Sequence, residues 1–112
     1  MTRRDLLRGG AAALALLPLA RRAVAAGAAR EHVIPIAAMR FGPAPAGIKA
    51  GDTILWVNRD IVPHTATARD RSFDVTLQPR QSARVTLRRA GAVAFYCRFH
   101  PAMQGALTIA AR

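Results

Sequence analysis

Glycine and proline interrupt this 112-residue chain at short intervals from residue 35 onward, and this spacing limits what the chain can fold into. Between these turn residues lie short runs with the composition of β-strands. Regular short strands separated by turn residues favour a β-sandwich or a barrel. Because each run is too short to form a stable fold alone, we predict an all-β domain of about eight strands packed as two sheets.

Apolar and polar residues alternate in two of these runs, residues 73–78 and residues 83–88. A period of two places one face of each strand in the core and the other in water. Residues 53–58 are apolar on both faces, which predicts a central strand. Further strands are predicted near residues 32–38, 46–49, 64–68, 92–97 and 105–110.

One tryptophan, Trp56, lies in the predicted central strand. We expect its side chain between the two sheets, with Phe41 and Phe95 as its neighbours in the core.

The first 25 residues have the features of an export signal rather than of a folded domain. Residues 2–8 contain paired arginines, residues 9–20 are apolar without a charge, and residues 23–25 read Ala-Val-Ala, a small-residue cleavage site. The apolar run of about 12 residues is shorter than the roughly 20 that span a bilayer. We therefore predict a cleaved twin-arginine signal, a domain of residues 26–112, a periplasmic location and no stable membrane insertion.

The chain is strongly basic, with a formal net charge of +11. Five arginines and one aspartate lie in residues 1–25, so residues 26–112 carry a net charge of +7. The arginines are spread over several predicted strands and loops and are not interleaved with stacking aromatic residues, which disfavours nucleic-acid binding. A positive domain attracts acidic partners through long-range steering.

Cys97 is the only cysteine in the chain. Small exported proteins normally use cysteines in disulfide pairs. An unpaired thiol in an oxidising compartment is therefore liable to oxidation unless it is bound to something. A bound metal ion is the simplest explanation for this cysteine, and an inert buried cysteine is the alternative.

The segment from Cys97 to Met103 reads Cys-Arg-Phe-His-Pro-Ala-Met and spaces a thiol, the imidazole of His100 and a thioether three residues apart. If this segment is one tight loop between strands, all three side chains can turn toward one point. His64, far upstream, supplies a second imidazole. Two histidines, one cysteine and a weak axial methionine form the copper geometry of electron-transfer proteins.

The sequence resembles the cupredoxins, most closely the amicyanin and plastocyanin-like members. The resemblance includes residues 38–41 (Ala-Met-Arg-Phe), 51–58 (Gly-Asp-Thr-Ile-Leu-Trp-Val-Asn), 63–65 (Pro-His-Thr) and 96–105. It implies a Greek-key sandwich with one copper ion near one end. His64, Cys97 and His100 would be the strong ligands and Met103 the weak axial ligand. Thr65 departs from the family, in which Asn or Ser commonly follows the first ligand histidine.

The resemblance further implies a monomeric electron carrier that cycles between Cu(I) and Cu(II). Its partners would be a donor dehydrogenase, a c-type cytochrome or a reductase. A protein that buffers or delivers copper remains the alternative. We expect no enzymatic activity, since His32 is the only histidine left for a second metal site and is expected to be a solvated surface residue.

In the relatives, an apolar patch surrounds the exposed edge of the second ligand histidine. Here that patch would consist of Pro63, Phe99, Pro101 and Ala102. Ordinary packing of the two loops is the other interpretation of these four residues.

Overall fold

The structure is a computed structural model that describes residues 27–112, and the predicted export signal of residues 1–25 lies outside the described residues. The described part folds into eight strands and contains no helix. The strands are β1 (Glu31–Ala37), β2 (Arg40–Phe41), β3 (Thr53–Asn58), β4 (His64–Ala68), β5 (Asp74–Leu77), β6 (Ser82–Thr86), β7 (Gly91–Tyr96) and β8 (Gln104–Ile109). Within residues 27–112, no helix is long and apolar enough to cross a membrane.

The strands form two four-stranded sheets with the orders β2-β1-β3-β6 and β5-β4-β7-β8. β1 and β3 are parallel, and the other neighbouring strands are antiparallel. The chain crosses between the sheets from β3 to β4, from β5 to β6 and from β6 to β7. This confirms the predicted Greek-key sandwich, with β3 as an internal strand.

Aromatic residues fill the space between the sheets, centred on the fully buried Trp56. The ring centroid of Trp56 lies 5.9 Å from that of Phe41 and 5.0 Å from that of Phe95, both in edge-on contact, as predicted. Gly105 packs so closely on the Phe95 ring that an added Cβ would clash with it. Truncation of a buried aromatic side chain in such a core costs about 3–5 kcal/mol.

One predicted strand, residues 46–49, is wrong. Gly47 adopts a left-handed conformation (φ +77°), which bends the chain, and only Lys49 forms an isolated bridge with Ala110. The eighth strand is instead β2, which pairs with the end of β1.

The β1–β2 hairpin was not predicted because its turn residues, Ala38 and Met39, are unusual. Both have positive φ values, 52° and 59°. Two-residue turns of this kind favour Asn and Gly, since other residues are strained there. A sequence lacking Asn-Gly gives no signal for such a turn.

Candidate metal centre

Three of the four predicted ligands meet at one end of the sandwich. His64 begins β4, Cys97 follows directly after β7, and His100 lies in the loop between β7 and β8. The Sγ atom of Cys97 lies 3.8 Å from Nδ1 of His64 and 3.7 Å from Nδ1 of His100. The three ligand atoms lie within 4.8 Å of one another, and His64 and Cys97 are fully buried.

Backbone hydrogen bonds close the loop that carries Cys97, His100 and Met103. The N–H of Met103 donates to the carbonyl of His100 at 2.8 Å, and the N–H of Cys97 donates to the carbonyl of Met103 at 3.1 Å. The side chain of Met103 is buried, and with His100 it lines a cavity of about 420 Å³. The three residues that are spaced by three in the sequence therefore share one tight turn.

Asp60 fixes the orientation of the His64 ring. Its carboxylate accepts a hydrogen bond from Nε2 of His64 at 2.7 Å. A neutral imidazole that donates from Nε2 carries its lone pair on Nδ1, the atom facing Cys97. Burial alone would raise the pKa of Asp60, but the N–H groups of Met39 and Ala38 and the His64 ring hold that pKa below its ordinary value.

The same carboxylate holds the strained β1–β2 turn. The N–H groups of Ala38 and Met39 donate to the two oxygens of Asp60 at 2.7 and 3.0 Å. A left-handed conformation costs a non-glycine residue roughly 1–2 kcal/mol, and these charge-assisted hydrogen bonds offset that cost. Asp60 thus joins the hairpin to His64. This role was not predicted, although Asp60 stands four residues before the predicted ligand His64.

Buried Asn58 shapes the loop that leads to His64. Its side-chain amide donates to the carbonyls of Val62 and Leu77 at 2.9 and 3.1 Å, and its Oδ1 accepts from the N–H of Asp60 at 2.9 Å. These bonds fix the loop between β3 and β4 at both ends.

Thr65 connects the two ligand-bearing segments. Its N–H donates to Sγ of Cys97 at 3.3 Å. Its hydroxyl accepts from the N–H of Arg98 at 2.8 Å and lies 3.0 Å from the hydroxyl of Thr67. Since Thr67 donates to Asp74 at 2.8 Å, Thr65 donates to Thr67. Thr65 therefore ties the start of β4 to the segment that follows β7.

His32 lies away from this centre, and its predicted solvated position is wrong. Its side chain is only 12% exposed, and its Nε2 donates to Asp52 at 2.9 Å. Asp52 also accepts from the N–H groups of Arg30 and Lys49, both at 3.0 Å, and pairs with the guanidinium of Arg112. This second network lies at the opposite end of the sandwich, just before β3.

Several exposed apolar side chains surround the metal centre, although Arg40 and Gln104 line the cavity beside His100. Phe99 and Ile61 are 48% and 82% exposed, and Met39 is exposed at the hairpin turn that Asp60 holds. The four patch residues expected from the resemblance (Pro63, Phe99, Pro101 and Ala102) are all exposed. Ile61 and Met39 were not predicted to lie here, because only the fold brings their two loops to this end of the sandwich.

A two-sheet sandwich with buried histidine and cysteine side chains converging at one end defines a copper protein of the electron-transfer class. One sulfur and two imidazole nitrogens form a donor set that suits copper, and Nδ1 of each histidine faces the sulfur. The residues present therefore fit the ion.

Comparison with known proteins gives the same class. A family profile described as a cupredoxin-like domain matches residues 10–109. Amicyanin from Paracoccus denitrificans is 29% identical over 98 residues, which are 82% of this chain and 72% of that protein. Amicyanin from Paracoccus versutus is 29% identical over 83 residues, which are 69% of this chain and 63% of that protein.

Solved structures agree with these sequence matches. A purple cupredoxin from Nitrosopumilus maritimus is similar with a TM-score of 0.64 and 26% identity, covering 70% of this chain and 99% of that one. A methionine-to-alanine variant of amicyanin with Cu(I) is similar with a TM-score of 0.62 and 26% identity, covering 70% and 81%. The chain belongs to the cupredoxin-like family. Its cofactor is a single type 1 copper ion, as predicted, and its chemistry is copper electron transfer.

Proposed function

We propose that this protein is a periplasmic, monomeric electron carrier, not an enzyme, whose single copper ion is held by His64, Cys97, His100 and Met103. The observation that carries this proposal is the convergence of the Cys97 sulfur with Nδ1 of both histidines at one buried point. Met103 joins them because its backbone closes the same loop and its side chain is buried beside His100.

The four proposed ligands would hold copper in both oxidation states. The bound ion would supply one-electron chemistry, accepting an electron as Cu(II) and releasing it as Cu(I). Asp60 fixes the His64 ring, Thr65 ties the two ligand segments together, and burial of His64 and Cys97 excludes water. Because little has to move when the charge changes, such a scaffold suits fast electron transfer. The N–H of Thr65 donates to the sulfur and lowers its electron density, which would favour Cu(I) when copper is bound.

The apolar end around His100 is the proposed entry and exit point for electrons. Met39, Ile61 and Phe99 surround it with exposed apolar side chains. Redox encounters use small interfaces that dissociate quickly, and weakly hydrated contacts suit such a complex. Proposed partners are a donor dehydrogenase, a c-type cytochrome or a reductase, for which the amicyanin relatives provide support.

Electron transfer and copper delivery make opposite predictions about the metal. For an electron carrier, the self-exchange rate between Cu(I) and Cu(II) protein, measured by NMR line broadening, should exceed the rate of copper transfer to a Cu(I) chelator by orders of magnitude. Rapid loss of copper to the chelator with slow self-exchange would instead identify a copper-handling protein.

Export is tested with the full chain. Replacing Arg3 and Arg4 together by lysine should keep the protein unprocessed in the cytoplasm, because the paired arginines are the proposed signal. The same replacement of Arg21 and Arg22 is the matched control and should still yield processed periplasmic protein. Processed periplasmic protein from the first variant would contradict the twin-arginine route.

A further inference from the structure

A cavity of about 420 Å³ lies directly outside the metal centre. Two of the four proposed ligands, His100 and Met103, contribute to its lining, whereas the other two are completely buried. The approach from solvent to the metal centre therefore runs past His100 and Met103. We call this space the Met39 cavity and define it by Met39, Arg40, Phe41, His100, Met103 and Gln104.

This cavity contains both thioethers of the predicted domain. The chain has three methionines, and one of them is Met1 in the predicted signal, so residues 26–112 contain only Met39 and Met103. The two differ in depth, since Met39 is 42% exposed and Met103 only 6%. One soft sulfur ligand is thus offered at the surface and a second one lies buried beside His100.

The backbone of Met39 is held in a fixed place next to the metal centre. Its N–H donates to the carboxylate of Asp60 at 3.0 Å, and the same carboxylate accepts from Nε2 of His64 at 2.7 Å. Met39 keeps this place at a φ value of 59°, a conformation that costs a non-glycine residue roughly 1–2 kcal/mol. The exposed thioether therefore projects from a turn that is tied to a proposed ligand and not from a free loop.

The chemistry of the Met39 cavity favours a soft ion of low charge. Thioether sulfur selects Cu(I), whereas carboxylates suit harder ions, and among the described residues no aspartate or glutamate lines this cavity. Arg40 adds a positive charge to the lining. At equal distance this charge repels Cu(II) twice as strongly as Cu(I).

We propose that Met39 is an entry ligand, which captures Cu(I) at the surface and passes it inward to Met103 and His100. The proposal rests on the proposed ligand set and adds a route and an oxidation state for copper loading. Met39 is not a ligand of copper in its final position. No electron is transferred, because the ion enters and arrives as Cu(I). The thiol of Cys97 releases its proton to solvent when it binds the ion.

Met39→Leu removes the sulfur and keeps an apolar side chain of similar volume, a change that proteins tolerate well. The turn should be retained, because Asp60 binds a backbone N–H that leucine also has. The matched control is the double variant Met39→Leu with Val33→Met. Val33 is 46% exposed in β1 and is not part of the cavity lining, so this variant restores the number of thioethers but not their place.

The experiment measures the rate of copper uptake by the copper-free domain, residues 26–112, in an anaerobic stopped-flow spectrometer. Cu(I) is supplied as its acetonitrile complex and followed by the ultraviolet copper–thiolate absorption. Cu(II) is supplied as the aquo ion and followed by the intense visible absorption. Met39→Leu should slow the uptake of Cu(I) about tenfold and that of Cu(II) by less than about twofold, because only the soft ion loses a ligand.

The double variant should be as slow toward Cu(I) as Met39→Leu. The final visible spectrum and the reduction potential of both variants should match wild type, since the proposed final ligands are unchanged.

Three results would overturn the proposal. An unchanged rate of Cu(I) uptake in Met39→Leu would show that the thioether takes no part in loading. Equal slowing of Cu(I) and Cu(II) would show that only the shape of the cavity matters. Restored Cu(I) uptake in the double variant would show that any surface thioether suffices. A failure of the proposed function differs from all three, because wild-type protein would then stay colourless after the addition of Cu(II).

Discussion

The two ends of this sandwich are built around the same device, an aspartate that accepts hydrogen bonds from a histidine Nε2 and from two backbone N–H groups. At the metal end the pair is Asp60 with His64, and at the opposite end it is Asp52 with His32. The two ends differ in their remaining contacts. At one end, Asp52 also pairs with the guanidinium of Arg112. At the metal end, Nδ1 of His64 faces the Cys97 sulfur.

This difference separates a structural role from a functional one. At the Asp52 end, the carboxylate and the histidine contact only each other and neighbouring protein groups within the described residues. The carboxylate joins Arg30 and Arg112, which lie near the two ends of the described chain, to the start of β3. At the Asp60 end, the hydrogen bond at Nε2 of His64 orients the ring so that Nδ1 points into the site. The same hydrogen-bonding pattern therefore stabilises the fold at one end and prepares a ligand at the other.

The largest expected effect is produced by Cys97→Ser, which changes only the metal end. The variant should lose the intense copper–thiolate absorption completely, because serine lacks the sulfur. The Tm of the copper-free protein should stay within about 2 °C of wild type, since one buried atom is replaced by a similar one and the Asp52 end is intact. A visible spectrum and a thermal melt measure both effects. An intense visible band in this variant would contradict the role of Cys97.

Asp52→Asn changes only the opposite end. Loss of the charge that pairs with Arg112 should lower the Tm of the copper-free protein by roughly 10 °C. The visible spectrum of the copper-loaded variant should match wild type. Asp70→Asn is the control, because Asp70 is exposed and its side chain accepts from the N–H of Ser72 within its own turn. Equal losses of stability in the two variants would contradict the special role of Asp52.

The pH dependence of stability sharpens this prediction. The N–H of Arg30, the His32 ring and the N–H of Lys49 hold the pKa of Asp52 far below its ordinary value. Because the folded-state pKa is the lower one, this stabilisation is complete above the unfolded pKa of about 3.9 and is lost as pH falls below it. The difference in unfolding free energy between wild type and Asp52→Asn should therefore be constant from about pH 5 to 7 and shrink toward pH 2. Urea melts of copper-free protein measure it, and a difference that grew on acidification would refute the assignment.

Met103→Leu tests the proposed fourth ligand of the metal end. Removing a weakly bound sulfur should raise the reduction potential by on the order of 60 mV, a tenfold change in relative affinity for the two oxidation states. The intense absorption should persist because the other three ligands remain. Voltammetry and a visible spectrum provide the measurement. Complete loss of copper would show instead that Met103 is a main ligand.

Asp60→Asn should have the smallest effect on the metal. The amide oxygen of asparagine can still accept from His64, so ring orientation is kept while a negative charge is lost. The reduction potential should rise by about 30 mV, which corresponds to a roughly threefold change in the relative affinity for Cu(I) and Cu(II). Voltammetry measures the shift, and Asp52→Asn is the matched control at the distant end. A fall in potential would show that the charge of Asp60 does not act on the copper.

Much of the fold and the likeness to cupredoxins followed from local sequence patterns. The alternation in residues 73–78 records which face of a strand is buried, because a strand has a period of two. The spacing of Cys97, His100 and Met103 fits one short loop, so their proximity needed no knowledge of the rest of the fold. His64 was found because a copper site of this kind requires a second imidazole, and few histidines were available.

The features that the sequence did not reveal depend on contacts between distant segments. The left-handed Ala38–Met39 turn exists because Asp60, more than 20 residues later, binds both N–H groups. His32 looked like a surface residue beside charged Glu31, yet the parallel pairing of β1 and β3 brings it to Asp52. Neither of these two contacts produces a pattern in the local sequence, because both depend on how distant strands pair with each other.

The most direct test is a titration of the copper-free protein, residues 26–112, with Cu(II), following visible absorption and the reactivity of the single thiol. The intense absorption should rise linearly to one equivalent of copper and then stop, while Cys97 becomes unreactive toward a thiol reagent. A solution that stays colourless, with a thiol that remains fully reactive after copper addition, would contradict the convergence of the four side chains on one ion.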